Sequence, residues 1–240
     1  MIAVPETAMV LAAGFGTRLR PLTDRMPKPL IPVAGRSLLD RCLDRLVEAG
    51  VRRAVVNIHW LGGQIRDHLA QRHDIAIAIS DESDLLLETG GGIAKALPLL
   101  DGKPFFAVNA DLIWRDQAEP ALLRLAQAFD PARMDALLLL QPREQAIGHA
   151  GPGDFVMGAD GRLARRREQP TAPYVFTGVQ ILLPHLFRDT PVGPFSLNLI
   201  YDRAIAAGRL YGLAHRGLWL DVGNHEGLAA AQAQLDGHGD

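Results

Sequence analysis

The sequence predicts an α/β protein with three layers, a mainly parallel sheet covered by helices on both faces. Three observations predict it. Short apolar runs of strand length alternate with apolar stripes at helical spacing from Met9 to Leu140. The first run leads straight into a glycine turn at Gly14 and Gly16, where a parallel strand would end. The composition, 240 residues with 48% hydrophobic and 22% charged, is that of an ordinary globular chain.

Taken in order, residues 9–13 (MVLAA) form the first strand. Ser37 with Asp40 three residues on marks a helix start, and Leu38, Leu39, Cys42, Leu43, Leu46 and Val47 supply its buried stripe up to Gly50. Residues 54–58 read as a strand, 64–72 as a helix and 75–79 as a third strand. A loop over 81–92 then precedes a helix reaching about Leu100. Residues 105–110 are a fourth strand, 120–129 a helix and 135–140 a fifth strand. The second half is less regular. Residues 148–167 are rich in glycine and charge, with Asp160-Gly161 a hairpin signal between short strands. Residues 174–183 read as a strand, 196–207 as an amphipathic helix, 210–214 as a strand, 219–223 as a strand end or loop, and 225–235 as a last helix. No linker, low-complexity tract or repeat interrupts the chain. The expectation is one domain over 1–240, a nucleotide-binding core of about 1–115 flanked by 116–240.

The net charge of −2 and the lack of a long basic run argue against nucleic acid or an anionic membrane as partner. Arg165-Arg166-Arg167, the one basic cluster, reads as a solvated turn or strand edge, with contact to an anionic substrate as the alternative. Cys42 is the sole cysteine, so no disulfide closes within the chain and a reducing compartment is expected. It reads as a small core residue. With no leader pattern and no run of about 18 apolar residues, the expected location is the cytoplasm. His59, His68, His73, His149, His185, His215, His225 and His238 are scattered without zinc-ligand spacing, which leaves them surface or structural roles. Monomer and homodimer both remain open.

Chemistry concentrates in residues 11–35, LAAGFGTRLRPLTDRMPKPLIPVAG. Gly14 and Gly16 let the backbone turn tightly and approach a ligand, and Arg18 adds a planar donor fork suited to phosphate oxygens. Lys28 is held stiffly between Pro27 and Pro29. A polyphosphate needs such equipment. The dinucleotide fingerprint fits poorly, because Leu19 stands at its third glycine and the second strand ends in Asn57 rather than an acid. The Walker A pattern fails for want of Gly-Lys-Ser/Thr. A turn of solvated arginines is the remaining alternative. Asp111 follows an apolar strand at the edge where ligands of open sheets bind, as a Mg²⁺ ligand or as a cap of the next segment. Asp221, in Trp219-Leu220-Asp221-Val222-Gly223, is a second candidate carboxylate or a turn residue. Glu88-Thr89-Gly90-Gly91-Gly92 offers bare N–H groups and room for a base or phosphate, or else a hinge.

These motifs, with ETGGGI, the Asn109-Ala110-Asp111 triplet, FTGV at 176–179 and WLDVGN near the end, resemble the sugar-phosphate nucleotidyltransferase family over nearly the whole chain. The resemblance implies a Rossmann-like αβα sandwich with a mixed, mainly parallel sheet. It implies transfer of a nucleotidyl group from a nucleoside triphosphate to a sugar 1-phosphate. On that resemblance Ala13, Gly14, Gly16, Thr17 and Arg18 would hold the triphosphate, and Lys28 the α-phosphate or the attacking phosphate. Arg18 and Lys28 would act catalytically. Asp111 and Asp221 would share Mg²⁺, Glu88, Gly90 and Gly91 would border the base and ribose, and Asn109, Asp154, Thr177 and Gly178 would face the sugar. Asn224 departs from the threonine common after Asp-Val-Gly. In its short length, ETGGGI, residues 151–155 and WLDVGN the chain most resembles the branch of the family that uses UTP and N-acetylmuramate 1-phosphate in peptidoglycan recycling, so the resemblance implies these substrates, with GTP and mannose 1-phosphate as the alternative. A non-catalytic sensor on this fold would be expected to lack Lys28 or a metal carboxylate, and all are present.

Overall fold

Strands with apolar residues on both faces must be covered on both faces, and this requirement sets the architecture. The computed structural model describes residues 3–236; residues 1–2 and 237–240, His238 among them, lie outside the described residues. In chain order the elements are β1 (Thr7–Leu11), β2 (Pro32–Val33), β3 (Arg36–Ser37), α1 (Leu38–Glu48), β4 (Arg53–Ile58), α2 (Gly62–Leu69), β5 (Ala76–Asp81), α3 (Glu88–Ala96), β6 (Phe105–Asn109) and β7 (Leu112–Arg115). They continue with α4 (Ala121–Ala128), β8 (Ala136–Pro142), β9 (Phe155–Met157), β10 (Leu163–Arg165), β11 (Tyr174–Leu182), α5 (Asn198–Ala206), β12 (Leu210–Ala214), β13 (Leu218–Asp221) and α6 (His225–Asp236).

β5, β4, β1 and β6 lie side by side and parallel. β11 runs antiparallel between β6 and β8, and β12 returns parallel to β8. β9 and β10 form the hairpin expected around Asp160-Gly161. The sheet is thus mixed and mainly parallel. Because the chain leaves β1 to one side for β4 and comes back on the other at β6, the carboxyl ends of β1 and β6 border a crevice suited to ligands.

Alternate residues of each strand enter opposite cores. Val10, Val56 and Val108 meet Leu39, Cys42, Leu43 and Leu46 of α1 and Leu125 of α4. Met9, Val55 and Ala107 meet Ile93 and Ala96 of α3 and Ile200 of α5. A third cluster, with Leu19, Ile31, Ile113, Leu220 and Ala231, ties the 14–33 loop to β7, β13 and α6.

α1 starts as read: Ser37 Oγ accepts the Asp40 N–H at 3.0 Å, a cap that contributes about 1 kcal/mol. Cys42 is 0% exposed, and burial pushes its thiol up to about 12. It is therefore expected to resist thiol reagents in the native protein and to react once denaturant is added; labelling of the folded protein at the unfolded rate would contradict this burial. Arg165 closes β10, bonds Asp202 at 2.8 Å and lies over the Phe155 ring, as a strand-edge arginine does. Among the described residues no helix is long and apolar enough to cross a membrane.

Beside the short β2–β3 hairpin, which was not expected, two differences bear on the crevice. α3 begins at Glu88, so the three glycines lie inside the helix rather than in a loop before it. Each glycine costs about 1 kcal/mol of helix propensity, but Gly90 and Gly91 donate their N–H groups to Phe195 O at 2.9 and 3.1 Å, which offsets the cost. Residues 112–115, not read as a strand, form β7, which pairs antiparallel with β13 as a separate two-stranded ribbon.

Candidate active site

The floor of the crevice is a buried polar chain across three strand ends. Ala12 N donates to Asn57 Oδ1 at 2.7 Å, Asn57 Nδ2 to Glu82 Oε1 at 2.7 Å, and Leu87 N to Glu82 Oε2 at 3.0 Å. Asn57 and Glu82 are 2% and 1% exposed. Such a network, with its members paired, fixes the ends of β1, β4 and β5 relative to one another. Gly92 lies on it: a Cβ there would stand 2.8 Å from Glu82 Oε1 and 2.9 Å from Asn57 Nδ2. The sequence had marked Asn57 only as evidence against a dinucleotide site, and it gave no sign of Glu82.

The 14–26 loop is tied down from below. Gly16 has φ +64°, and a Cβ on it would meet Thr23 at 2.8 Å and Lys28 Cβ at 3.0 Å. Thr23 Oγ1 donates to Gly16 O at 2.9 Å, and Trp60 Nε1 to Thr23 O at 2.8 Å. Leu19 is fully buried, while Gly14, Thr17 and Arg18 stay exposed above it, and Ala13 is buried at its start.

Lys28 sits in the short turn Lys28–Leu30, is 7% exposed, and donates Nζ to Asp111 Oδ2 at 2.5 Å. Asp111 directly precedes β7, and the register of the ribbon sets Asp221 opposite Leu112. That step sets the Asp221 backbone beside Leu112, one residue from Asp111, across more than 100 residues of sequence. Behind them Gly223 leaves a gap: the point its Cβ would occupy is 2.8 Å from Asp221 Oδ1 and 3.0 Å from Arg18 Nη2. Lys28 thus pairs with Asp111, and Arg18 and Asp221 both border Gly223.

The other candidates divide. Asn109 ends β6 and abuts Gly178, whose φ of +81° suits glycine. Asp154 accepts the Phe176 N–H at 2.8 Å through Oδ2. Thr177 does not face the crevice: it is fully buried and donates to Leu139 O at 2.8 Å. Its hydroxyl fills the gap left where β11 bulges away from β8 between Phe176 and Gln180. Glu88 is exposed and has φ +59°, an uncommon conformation for a side-chain-bearing residue and one that clusters at functional sites. Gly90 and Gly91 are buried, with their N–H groups taken by Phe195 O, so they shape a wall rather than offer donors. A separate cavity of about 670 Å³, between α1 and β7 and lined by Arg45, Trp114 and Asp116, includes none of the crevice residues.

Residues 7–237 match the family described as Nucleotidyl transferase. This chain belongs to that family. As a nucleotidyl transferase it is an enzyme, and its glycine loop, paired Lys28 and Asp111, and ribbon carboxylate Asp221 are its candidate machinery. It is 45% identical to the N-acetylmuramate alpha-1-phosphate uridylyltransferase of Caulobacter vibrioides, over 98% of this chain and 99% of that one. With the protein of the same description from Neisseria meningitidis serogroup B it shares 40%, over 94% of this chain and 96% of the other. A solved UDP-glucose pyrophosphorylase complexed with UDP-glucose superposes with a TM-score of 0.79 at 16% identity, over 98% of both chains. That likeness establishes the fold of this nucleotidyl transferase as the Rossmann-like one that the resemblance implied.

Proposed function

We propose that the protein transfers a uridylyl group from UTP to N-acetylmuramate 1-phosphate, releasing pyrophosphate, in peptidoglycan recycling. One observation carries the chemistry: Lys28 and Asp111, in contact at 2.5 Å, stand at the end of the ribbon in which Asp221 pairs with Leu112, and Asp221 and Arg18 both border Gly223. The two relatives named for this reaction support the choice of substrates.

An oxygen of the sugar phosphate attacks the α-phosphorus in line. A new P–O bond forms, the α–β bridging P–O bond breaks, and pyrophosphate carries off the electron pair. Both reactants are anions, so the task is to position them and to offset their repulsion. Ala13, Gly14, Gly16 and Thr17 would present backbone to the triphosphate, and the Arg18 fork would grip the leaving phosphates. Lys28 would meet the attacking phosphate. Asp111 and Asp221 fit Mg²⁺, a hard cation commonly held by one or two carboxylates together with substrate phosphates. When bound, that ion would supply neutralising charge at the phosphates. Glu88 would border the base and ribose against the wall formed by Gly90 and Gly91. Asn109, Asp154 and Gly178 would line the sugar side, with Thr177 holding the strand beneath them. On this reading residues of about 1–115 serve the nucleotide and those of about 116–240 the sugar, and the buried Cys42 suits a cytoplasmic enzyme.

The deciding experiment is a matrix of four nucleoside triphosphates against N-acetylmuramate, mannose and glucose 1-phosphates, scored by pyrophosphate release with and without Mg²⁺. UTP with the muramate ester, in the presence of Mg²⁺, is expected to be fastest. GTP with mannose 1-phosphate as the best pair would replace this substrate assignment with the guanylyltransferase one. Release without Mg²⁺ at the same rate would remove the cation role of Asp111 and Asp221.

A further inference from the structure

Asp221 is gripped from outside its ribbon by residues 147–149. Ile147 bridges Leu220, and Asp221 N donates to Ile147 O at 2.9 Å. Gly148 has φ +77°, and a Cβ on it would stand 2.5 Å from Asp221 O, so the segment passes directly over that peptide. His149 then lays its ring beside Trp219, with centroids 6.2 Å apart, and brings Nδ1 to 3.5 Å from Asp221 Oδ2. Its Nε2 is buried without a partner, and Gly151 closes over it. Among the described residues, the Asp221 carboxylate is the polar side chain that faces this imidazole.

A leucine would fill the same space and would not leave a buried nitrogen unpaired. The cost is intelligible if Nδ1 has a task. The terminal torsion of an aspartate is soft, so its carboxylate swings unless something holds it. Gly223 borders Oδ1, with Arg18 on the far side of that glycine, and His149 borders Oδ2. Three residues after Gly151, the same segment delivers Asp154 to the sugar side.

We propose that His149 is a positioning residue that orients the Asp221 carboxylate for the divalent cation and links that orientation to the sugar-side segment. The proposal rests on reading Asp221 as a cation ligand. Groups that hold a ligating carboxylate in place tune the metal site, and their loss costs about 10- to 100-fold in metal affinity or activity.

The test measures Mn²⁺ binding to the full-length protein with a non-hydrolysable UTP analogue by electron paramagnetic resonance, alongside melting temperature and the half-saturating Mg²⁺ in pyrophosphate release. His149→Leu is expected to weaken Mn²⁺ by about 10- to 100-fold and to raise the Mg²⁺ requirement in parallel, with kcat at saturating Mg²⁺ largely kept. His149→Asn, whose amide nitrogen can stand near Nδ1, should recover most of that loss. Should the leucine variant not fold, His149→Ala is expected to lose the same affinity. A leucine or alanine variant that melts lower yet binds Mn²⁺ as the wild type does overturns the proposal, and so does an asparagine variant no better than leucine. Asp221→Asn separates the two readings. If it leaves Mn²⁺ binding intact, the cation role of Asp221 fails first; if it weakens binding while His149→Leu does not, only the positioning role fails.

Discussion

Lys28→Ala is expected to lower turnover by about 100-fold or more, the scale on which one preorganised charge-stabilising group acts. The lysine is 7% exposed, so water cannot substitute freely for its charge. Pro27 and Pro29 restrict the backbone on both sides, and Asp111 Oδ2 fixes the ammonium at 2.5 Å before any substrate arrives. Its removal strips a cation from between two anions and leaves the Asp111 carboxylate without its partner. Lys28→Met, which keeps most of the volume, should lose as much, because the missing element is charge. Single-turnover pyrophosphate release and melting temperature, measured on both variants, check this. Wild-type turnover in a folded variant would take Lys28 out of the reaction. A rise in KM with kcat unchanged would confine it to binding that is equal in the ground and transition states.

Gly178→Ala should destabilise the fold by roughly 2–5 kcal/mol, combining a strained backbone with an overfilled core. At φ +81° an alanine is strained, and its Cβ would run into the Leu112 side chain and press on Asn109 Nδ2 at 3.0 Å. Leu112 is the partner of Asp221 and the neighbour of Asp111, so the displaced leucine should also reduce turnover. For a chain of this size the melting point is expected to fall by roughly 5–20 °C. Urea denaturation should move to a lower midpoint with an unchanged slope. An alanine variant that melts with the wild type would mean that β11 relaxes here without cost.

Local features were legible where one physical rule governs them. Ser37 and Asp40 announced the start of α1, and the apolar stripe from Leu38 to Leu46 named the face that is buried. Lys28 and Arg18 stood out because a proline-stiffened lysine and a glycine-loop arginine have few other uses. Features set by distant partners were not legible. The glycines of α3 read as a loop because their helical pairing depends on Phe195, more than 100 residues onward. The pairing that sets Asp221 beside Leu112 joins β7 and β13 across more than 100 residues, and β7 is too short to declare itself. Thr177 looked like a contact residue because the bulge that turns it inward has no local signature. Glu82 looked like any loop acid, since its burial comes from Asn57 on another strand.

The β7–β13 ribbon also bears on the order in which the enzyme comes into being. Asp111 and the glycine loop leave the ribosome early, whereas Asp221 follows about 110 residues later, about 5–20 seconds at typical synthesis rates. Until β13 docks, a nascent or prematurely ended chain holds the glycine loop and one of the two candidate carboxylates and lacks the second. On the proposed reading, such a chain is expected to lack turnover until β13 has paired with β7.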